Sequence, residues 1–417
     1  MARLSGDVSK ILAIVVIVSF SLTRTIAGSG EEIRFSSRDA QSVKSFNNAR
    51  AIAVGSDRIV HVVWSELRDD IDEIRYRRSG DLGLTWGKDA VMARDPNFTG
   101  GNPHAGSSCP ALTVSGPKVY VVWVEDGGSD MAAGSELFFR RSADAGLSWE
   151  ETERLTRAPG QSVSPSIAAS GNEIHLIWTD LRNDGIEEIY YKCSRDEGRT
   201  WSDDLRLTES MSLKGHPVVS TAGNAVHCFW MDMRDGNWEI YCRRSIDGGR
   251  TWFESNRLTD DPGMSEVPSA VAVGDKVYVV WEDTRDSPTG EDYEIYFKRS
   301  TDGGQVWSED IRLTRAARYS LNPFIDISGD DIYVAWQDRR DGEEDGRIPD
   351  HEIYLKSSTD GGENWSPDMR LTFEPSNSVL AAVAATPSSV LVLWVDYREG
   401  GPQVYFKSVP ISSLPSP

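Results

Sequence analysis

Seven times along this chain of 417 residues two apolar residues are followed by Trp and then, close by, an acidic residue. The copies are Val62-Val63-Trp64, Val121-Val122-Trp123, Leu176-Ile177-Trp178, Cys228-Phe229-Trp230, Val279-Val280-Trp281, Val334-Ala335-Trp336 and Val392-Leu393-Trp394. Successive Trp lie 59, 55, 52, 51, 55 and 58 residues apart. A unit of about 50 residues repeated in this way cannot bury its own core and must stack on its neighbours. Each unit holds four short strand signals, A to D, bounded by Gly, Asp, Asn and Ser. In the third unit these are 166–169, 173–179, 188–193 and 205–208. Helical periodicity is absent, and no linker interrupts the array. With 39% hydrophobic and 26% charged residues, the chain has the composition of one folded, all-β domain.

A second motif, Ser-x-Asp-x-Gly-x-(Thr/Ser)-Trp, sits between strands C and D. It places Asp81, Asp144, Asp196 and Asp247 five residues before Trp86, Trp149, Trp201 and Trp252; looser copies carry Asp302 with Trp307 and Asp360 with Trp365. Asp binds turn N–H groups, Gly supplies positive φ, and Trp is expected to fold back under its own strand pair as a local core. These turns resemble the Asp-box (bacterial neuraminidase) repeats of the sialidase-like β-propeller superfamily. The resemblance covers nearly everything after residue 28. It implies four-stranded antiparallel blades around a channel, with the Asp boxes on the face opposite the ligand site. Strands A, B and C occur seven times, but the last unit lacks a D strand. The orphan Ile33-Arg34-Phe35-Ser36 matches the D strand Ile311-Arg312-Leu313-Thr314. The expectation is a seven-bladed β-propeller over residues 29–410, closed by the N-terminal strand completing the last blade, with a tail at 411–417. The catalytic propeller of sialidases has six blades.

Arg3 and Lys10 precede the apolar run Ile11–Leu22, and Thr25-Ile26-Ala27 follows. That pattern reads as a signal peptide over residues 1–28, or as an uncleaved N-terminal anchor. Either places the folded part in a secreted, cell-surface or periplasmic location. The charge, 44 Lys+Arg against 65 Asp+Glu or −21, argues against nucleic acid and anionic membrane as partners. No multi-span membrane pattern is present. Four Cys do not make a disulfide scaffold; Cys228 and Cys242, on adjacent strands, pair in an oxidising compartment or remain two buried thiols.

One face of the array is uniform: start of A to the B-strand Trp is 13 residues in units one to six, and the C-strand Glu to the Asp-box Trp is 13 in all six copies. On the other face the B–C spacing runs 9, 13, 10, 9, 13, 16 and 9, and the D–A connection after Trp86 is eight residues longer than the 16 after Trp149, Trp201, Trp252 or Trp307. Variable loops on a uniform scaffold mark the B–C/D–A face as the binding face. The end of strand B is read there as a ring of Arg68, Arg182, Arg234, Arg285, Arg339 and Arg398, either gripping carboxylates or tying down its own blade through Asp and Glu. Glu73, Glu136, Glu188, Glu239, Glu294 and Glu352 begin the facing C strands. The residue before each A strand is expected at the channel mouth: Arg50, Cys109, Ser164, His216, Val267 and Asn322. Lys214, Glu266, Tyr319, Asn102, His104 and Ser107 lie near it in sequence. Trp238, Tyr293 and His351 precede C strands, where aromatic rings beside polar groups suit stacking on a sugar; Trp238 alternatively packs on its own hairpin.

The resemblance carries a catalytic expectation: three Arg on the substrate carboxylate, a Tyr nucleophile with a Glu, and an Asp acid/base. Arg50-Ala51-Ile52 stands where the family has Arg-Ile-Pro, without the Pro; Arg347-Ile348-Pro349 lies in a loop. No Tyr/Glu pair is assignable, since Tyr190, Tyr241, Tyr296 and Tyr354 read as repeated core positions. The catalytic set therefore does not transfer. His104, His216 and His351 do not read as a zinc set, so no metal is assigned; the acidic loops 126–130 and 341–345 leave structural Ca²⁺ open, and no cofactor is expected. Asn97-Phe98-Thr99 fits a glycosylation sequon. The expected function is an extracellular platform for a glycan or protein ligand, with a sialidase-like exo-glycosidase as the alternative.

Overall fold

The computed structural model describes residues 30–36, 40–43, 50–69, 71–95, 108–126, 134–287, 289–290, 292–316, 318–341 and 350–417. Within these, the strands of each unit pair in order into an antiparallel sheet, and seven such sheets follow one another. The third blade is Ser162–Ser170, Glu173–Asn183, Ile186–Ser194 and Leu205–Arg206. The seventh takes its outer strand from the other end of the chain: Glu32–Arg34 pairs antiparallel with Gln403–Pro410, in the register Glu32 to Lys407 and Arg34 to Tyr405. Glu32 also binds Arg398 at 2.7 Å. The chain is thus a seven-bladed β-propeller, closed as its repeat arithmetic requires, and closure removes the open edges.

Each B-strand Trp is almost wholly buried, and the acidic residue two positions on is why that indole can be buried. Asp283 accepts from the Trp281 indole N–H at 2.8 Å, the Ser265 hydroxyl at 2.8 Å and Arg285 at 2.6 Å. The same knot recurs at Asp180, Asp338 and Asp396. One carboxylate so ties strand A to strand B and satisfies a buried donor.

The turn tryptophans depart from expectation. The turns themselves form as anticipated: Asp247 accepts from the Thr251 N–H at 2.9 Å and the Ser245 hydroxyl at 2.8 Å. Their rings, however, pack on the preceding blade rather than under their own strands. Trp149 meets Tyr76 edge-on at 4.8 Å, Trp252 meets Tyr191 at 4.8 Å, and Trp86 of the first blade meets Phe406 of the last at 4.9 Å. A hairpin has too little apolar surface beneath it to bury an indole, whereas the adjoining sheet offers a whole face.

Strand A also differs. It begins earlier than expected and contains a bulge, at which the register shifts between Val163 and Ser166. Five of the six residues placed before strand A therefore lie inside it, in the left-handed region: Cys109, Ser164, His216, Val267 and Asn322, and with them Leu380 of the last blade, have φ between 48° and 55°, whereas Arg50 precedes its strand. In the first blade the inner edge is split. Gln41–Val43 and Ile52–Val54 pair with separate parts of Val60–Arg68.

All four Cys are free thiols. Cys228 stands opposite Arg243, and Cys242 opposite Phe229, so the two side chains leave opposite faces of the sheet. Cys228 packs with Trp230 and Cys242 with Trp281, which excludes a bridge between them. Among the described residues no helix is long and apolar enough to cross a membrane.

Candidate functional site

The arginines at the ends of the B strands are consumed by their own blades. Arg68 binds Glu66 at 2.6 Å, Arg182 binds Asp180 and Asp204, Arg234 binds Asp232, Arg285 binds Asp283 and Asp310, and Arg398 binds Asp396 and Glu32. Four of these, and Arg340 of the sixth blade, lie over C-strand tyrosines, as Arg182 does over Tyr190 at 4.3 Å. In the sixth blade this role falls to Arg340, four residues after Trp336, and not to Arg339. Arg340 binds Asp338 at 2.7 Å and Asp368 at 2.5 Å. Arg339 occupies a position held by Leu67, Leu181, Met233, Thr284 and Tyr397 in other blades. It makes no ion pair among the described residues; its guanidinium lies over the Tyr319 ring at 5.3 Å.

The C-strand glutamates are likewise structural. Glu239 binds Arg257 at 2.6 Å and accepts from the Thr259 hydroxyl, and Glu294 and Glu352 repeat this with Arg312 and Arg370.

The remaining candidates divide. Lys214 is buried and donates to the carbonyls of Ser210 at 2.7 Å and Ser212 at 2.8 Å, beside Glu188 at 3.3 Å. That is an anchoring role, and the side chain is wholly buried. Arg50 reaches across to Asp326 at 3.0 Å and lines a small channel cavity of about 150 Å³ with Ser166, Ser269 and Phe324. His216 stands at its bulge with Nδ1 buried and unpartnered, and burial lowers its pKa to about 4. Asn102, His104, Ser107, the sequon and Arg347 lie outside the described residues.

Blades five and six bring the others together. The Tyr293 hydroxyl donates to Glu266 Oε2 at 2.5 Å, a contact that the sequence did not disclose. Behind it lies Glu282, 6% exposed, which accepts the Asn322 N–H at 2.6 Å. Burial, with the neighbouring Glu266 charge adding to it, pushes the Glu282 carboxyl up to about 8. Burial also raises Glu266, and burial followed by the bond to Glu266 raises Tyr293. Tyr319 adjoins Tyr293 through the Ser320 N–H, which donates to the Tyr293 carbonyl at 2.8 Å. His351 is buried against Asn377, its Nδ1 3.1 Å from the amide oxygen. Trp238 is partly exposed at the matching place one blade earlier. The signals available in sequence were the Arg339-Arg340 doublet and Glu282 directly after Trp281. Among the described residues, no three or more His, Cys, Asp or Glu side chains gather as a metal site.

The molecule is therefore a propeller with one uniform face of Asp turns and one polar, aromatic mouth. No family model and no curated protein matches the chain. Among solved structures it is similar to a polysaccharide lyase, an ulvan lyase bound to -[GlcA(1-4)Rha3S]-, with TM-score 0.63 and 12% identity over 91% of this chain and 96% of that one. It is also similar to a protein of unknown function from Dyadobacter fermentans, with TM-score 0.51 and 14% identity over 79% and 98%. A Hadza microbial sialidase aligns with TM-score 0.48 and 16% identity over 88% and 66%. At these identities the likeness is one of fold.

Proposed function

We propose that this chain is an extracellular glycan-binding propeller and that its site is the B–C/D–A mouth over blades five and six. The observation that carries the reading is the concentration of departures from the repeat in one sector. There Arg339, which makes no ion pair among the described residues, a Tyr293–Glu266 pair and the Tyr319 ring adjoin, while the B-strand arginines of the other blades are tied into scaffold. Aromatic faces with a few fixed polar groups suit a sugar ring, and a free guanidinium suits a carboxylate or sulfate on it. The polysaccharide lyase of the same fold holds an acidic sugar chain. A net charge of −21 disfavours a densely charged polymer, so the reading is a glycan with few acidic groups.

One observation favours turnover as a second reading. Tyr293 already donates its proton toward Glu266, the arrangement a phenolic nucleophile or base requires. Against it stands the raised phenol pKa of Tyr293, which makes proton loss harder in the resting site.

A glycan array on residues 29–417, beside a fluorogenic panel that includes a sialoside, tests both. Retention of glycans that is lost in Arg339→Ala and kept in Arg50→Ala is the expected result. Turnover abolished by Tyr293→Phe would replace the platform by the enzyme reading. Silence in both assays would overturn the glycan reading in favour of a protein partner.

A further inference from the structure

The mouth carries a continuous apolar arc that the repeat does not require. Two loop positions recur with the same backbone bonds in successive blades. The residue before strand A accepts an N–H from the end of strand B: Met233 to Leu213, Thr284 to Met264 and Arg339 to Tyr319, each at 3.0 Å. Gln161 and Asn377 hold that position in the flanking blades, accepting from Leu181 and Tyr397. The residue before strand C accepts an N–H from the next blade's strand A: Ser265 to Trp238 and Ser320 to Tyr293, both at 2.8 Å. These bonds interleave the two positions. Trp238 sits beside Met264, Tyr293 beside Tyr319, and the Tyr293 hydroxyl lies 4.0 Å from the Met264 sulfur.

Leu213, Trp238, Met264, Tyr293 and Tyr319 thus follow one another around the mouth over three blades and stop at Arg339. Leu213 is 53% exposed and Met264 42%, which costs free energy in water unless something covers them. At the flanking blades the same positions are amides, so the apolar character has two ends. Sheets packed face to face stand about 10 Å apart, and an arc over three blades extends over roughly 20 Å, longer than one sugar ring.

We propose that this arc is a track for the interior of a linear glycan chain, occupied by several consecutive sugars of mostly neutral character, with Arg339 at one end receiving an acidic substituent. The occupant follows from what borders the arc: the hydrogen-bonding carboxylate of Glu266 and Arg339, a cation with no ion pair among the described residues, in a molecule of net charge −21. This inference rests on the glycan-binding reading and narrows it from a terminal sugar to a chain.

The test is calorimetric titration of residues 29–417 with size ladders of xylan, glucuronoxylan and hyaluronan, disaccharide to octasaccharide, beside a methyl sialoside. Affinity for the xylan or the glucuronoxylan ladder rises about tenfold or more with length, a gain of about one stacked ring or more, and a rise for hyaluronan alone overturns the neutral track. Trp238→Ala loses that gain and leaves the disaccharide within about twofold. The double variant Leu213→Ser, Met264→Ser, at exposed positions that folding does not need, behaves alike; melting curves confirm that both variants fold. Equal affinity for short and long members, or for the sialoside alone, overturns the track and leaves the glycan reading standing. Length dependence that survives both variants also overturns it. Failure of every ladder and of the sialoside removes both readings.

Discussion

Arg339 and Arg340 are neighbours in sequence with opposite duties. Arg340 completes the carboxylate knot of Asp338, whose side chain is fully buried, and reaches Asp368 as well. Removing it strands a buried charge, and Arg340→Met is expected to cost about 2–3 kcal/mol, read as a lower urea midpoint. Arg339→Met is expected to leave stability within about 0.5 kcal/mol and to act only on ligand binding. A comparable loss in both variants would mean that Arg339 is scaffold too. Read from sequence, the ring takes in Arg339, although the spacing Trp-x-Asp-x-Arg of the other blades falls on Arg340. Only the fixed offset from Trp336, and then the contact with Asp338, tells them apart.

At the scale of strands and turns, the blades are joined by small, exacting contacts. Gly249 has φ of 74°, and a Cβ there would collide with the Tyr191 hydroxyl of the preceding blade. Gly249→Ala is expected to destabilise by more than about 1 kcal/mol, measurable as a drop in melting temperature; a neutral result would show that the blades yield there. Two other contacts make the fold pH-sensitive. His61 and His175 bond Tyr76 and Tyr191 through Nδ1 at 2.6 and 2.8 Å, and burial lowers both imidazoles from 6.5 to about 4. Between those values the unfolded chain binds more protons than the folded one, so stability falls as pH falls from about 6.5 to about 4, by up to about 3 kcal/mol per histidine. Glu282 and Glu352 act in the opposite sense: burial raises them to about 8 and about 7, and their penalty grows as pH rises above about 4.5. In His61→Gln, His175→Gln the fall in melting temperature between about pH 6.5 and about pH 4.5 should be shallower than in the parent. An unchanged slope would assign the acid sensitivity elsewhere.

The whole ring depends on one short strand. Glu32–Arg34 supplies the last outer strand and, through Glu32, the partner of Arg398. A chain beginning at Ala40 leaves that edge open, and it is expected to lose cooperative unfolding and to associate through the exposed Gln403–Pro410 strand, seen as concentration-dependent light scattering. Monomeric, two-state behaviour would show that closure is dispensable. This closure was legible beforehand because a missing D strand and an orphan copy are matters of counting. The mouth was legible only in part. Loop lengths and ring-bearing positions pointed to the face, but the Tyr293–Glu266 bond joins residues 27 apart on neighbouring segments. The inner-strand bulge also moved Asn322 and His216 inside a strand. Periodicity reports what every blade shares; a site is built from what one or two blades do differently.

The closing strand also fixes which way the molecule can be held. Gly30, where the described chain begins, and Pro410, where the last strand ends, border the same hollow with Ser388 and Leu82 on the Asp-turn side. A tether joined directly before Gly30 or directly after Pro410 would therefore leave from the back of the disc. A protein held at those two points would turn its opposite face, with Arg339, toward the solution.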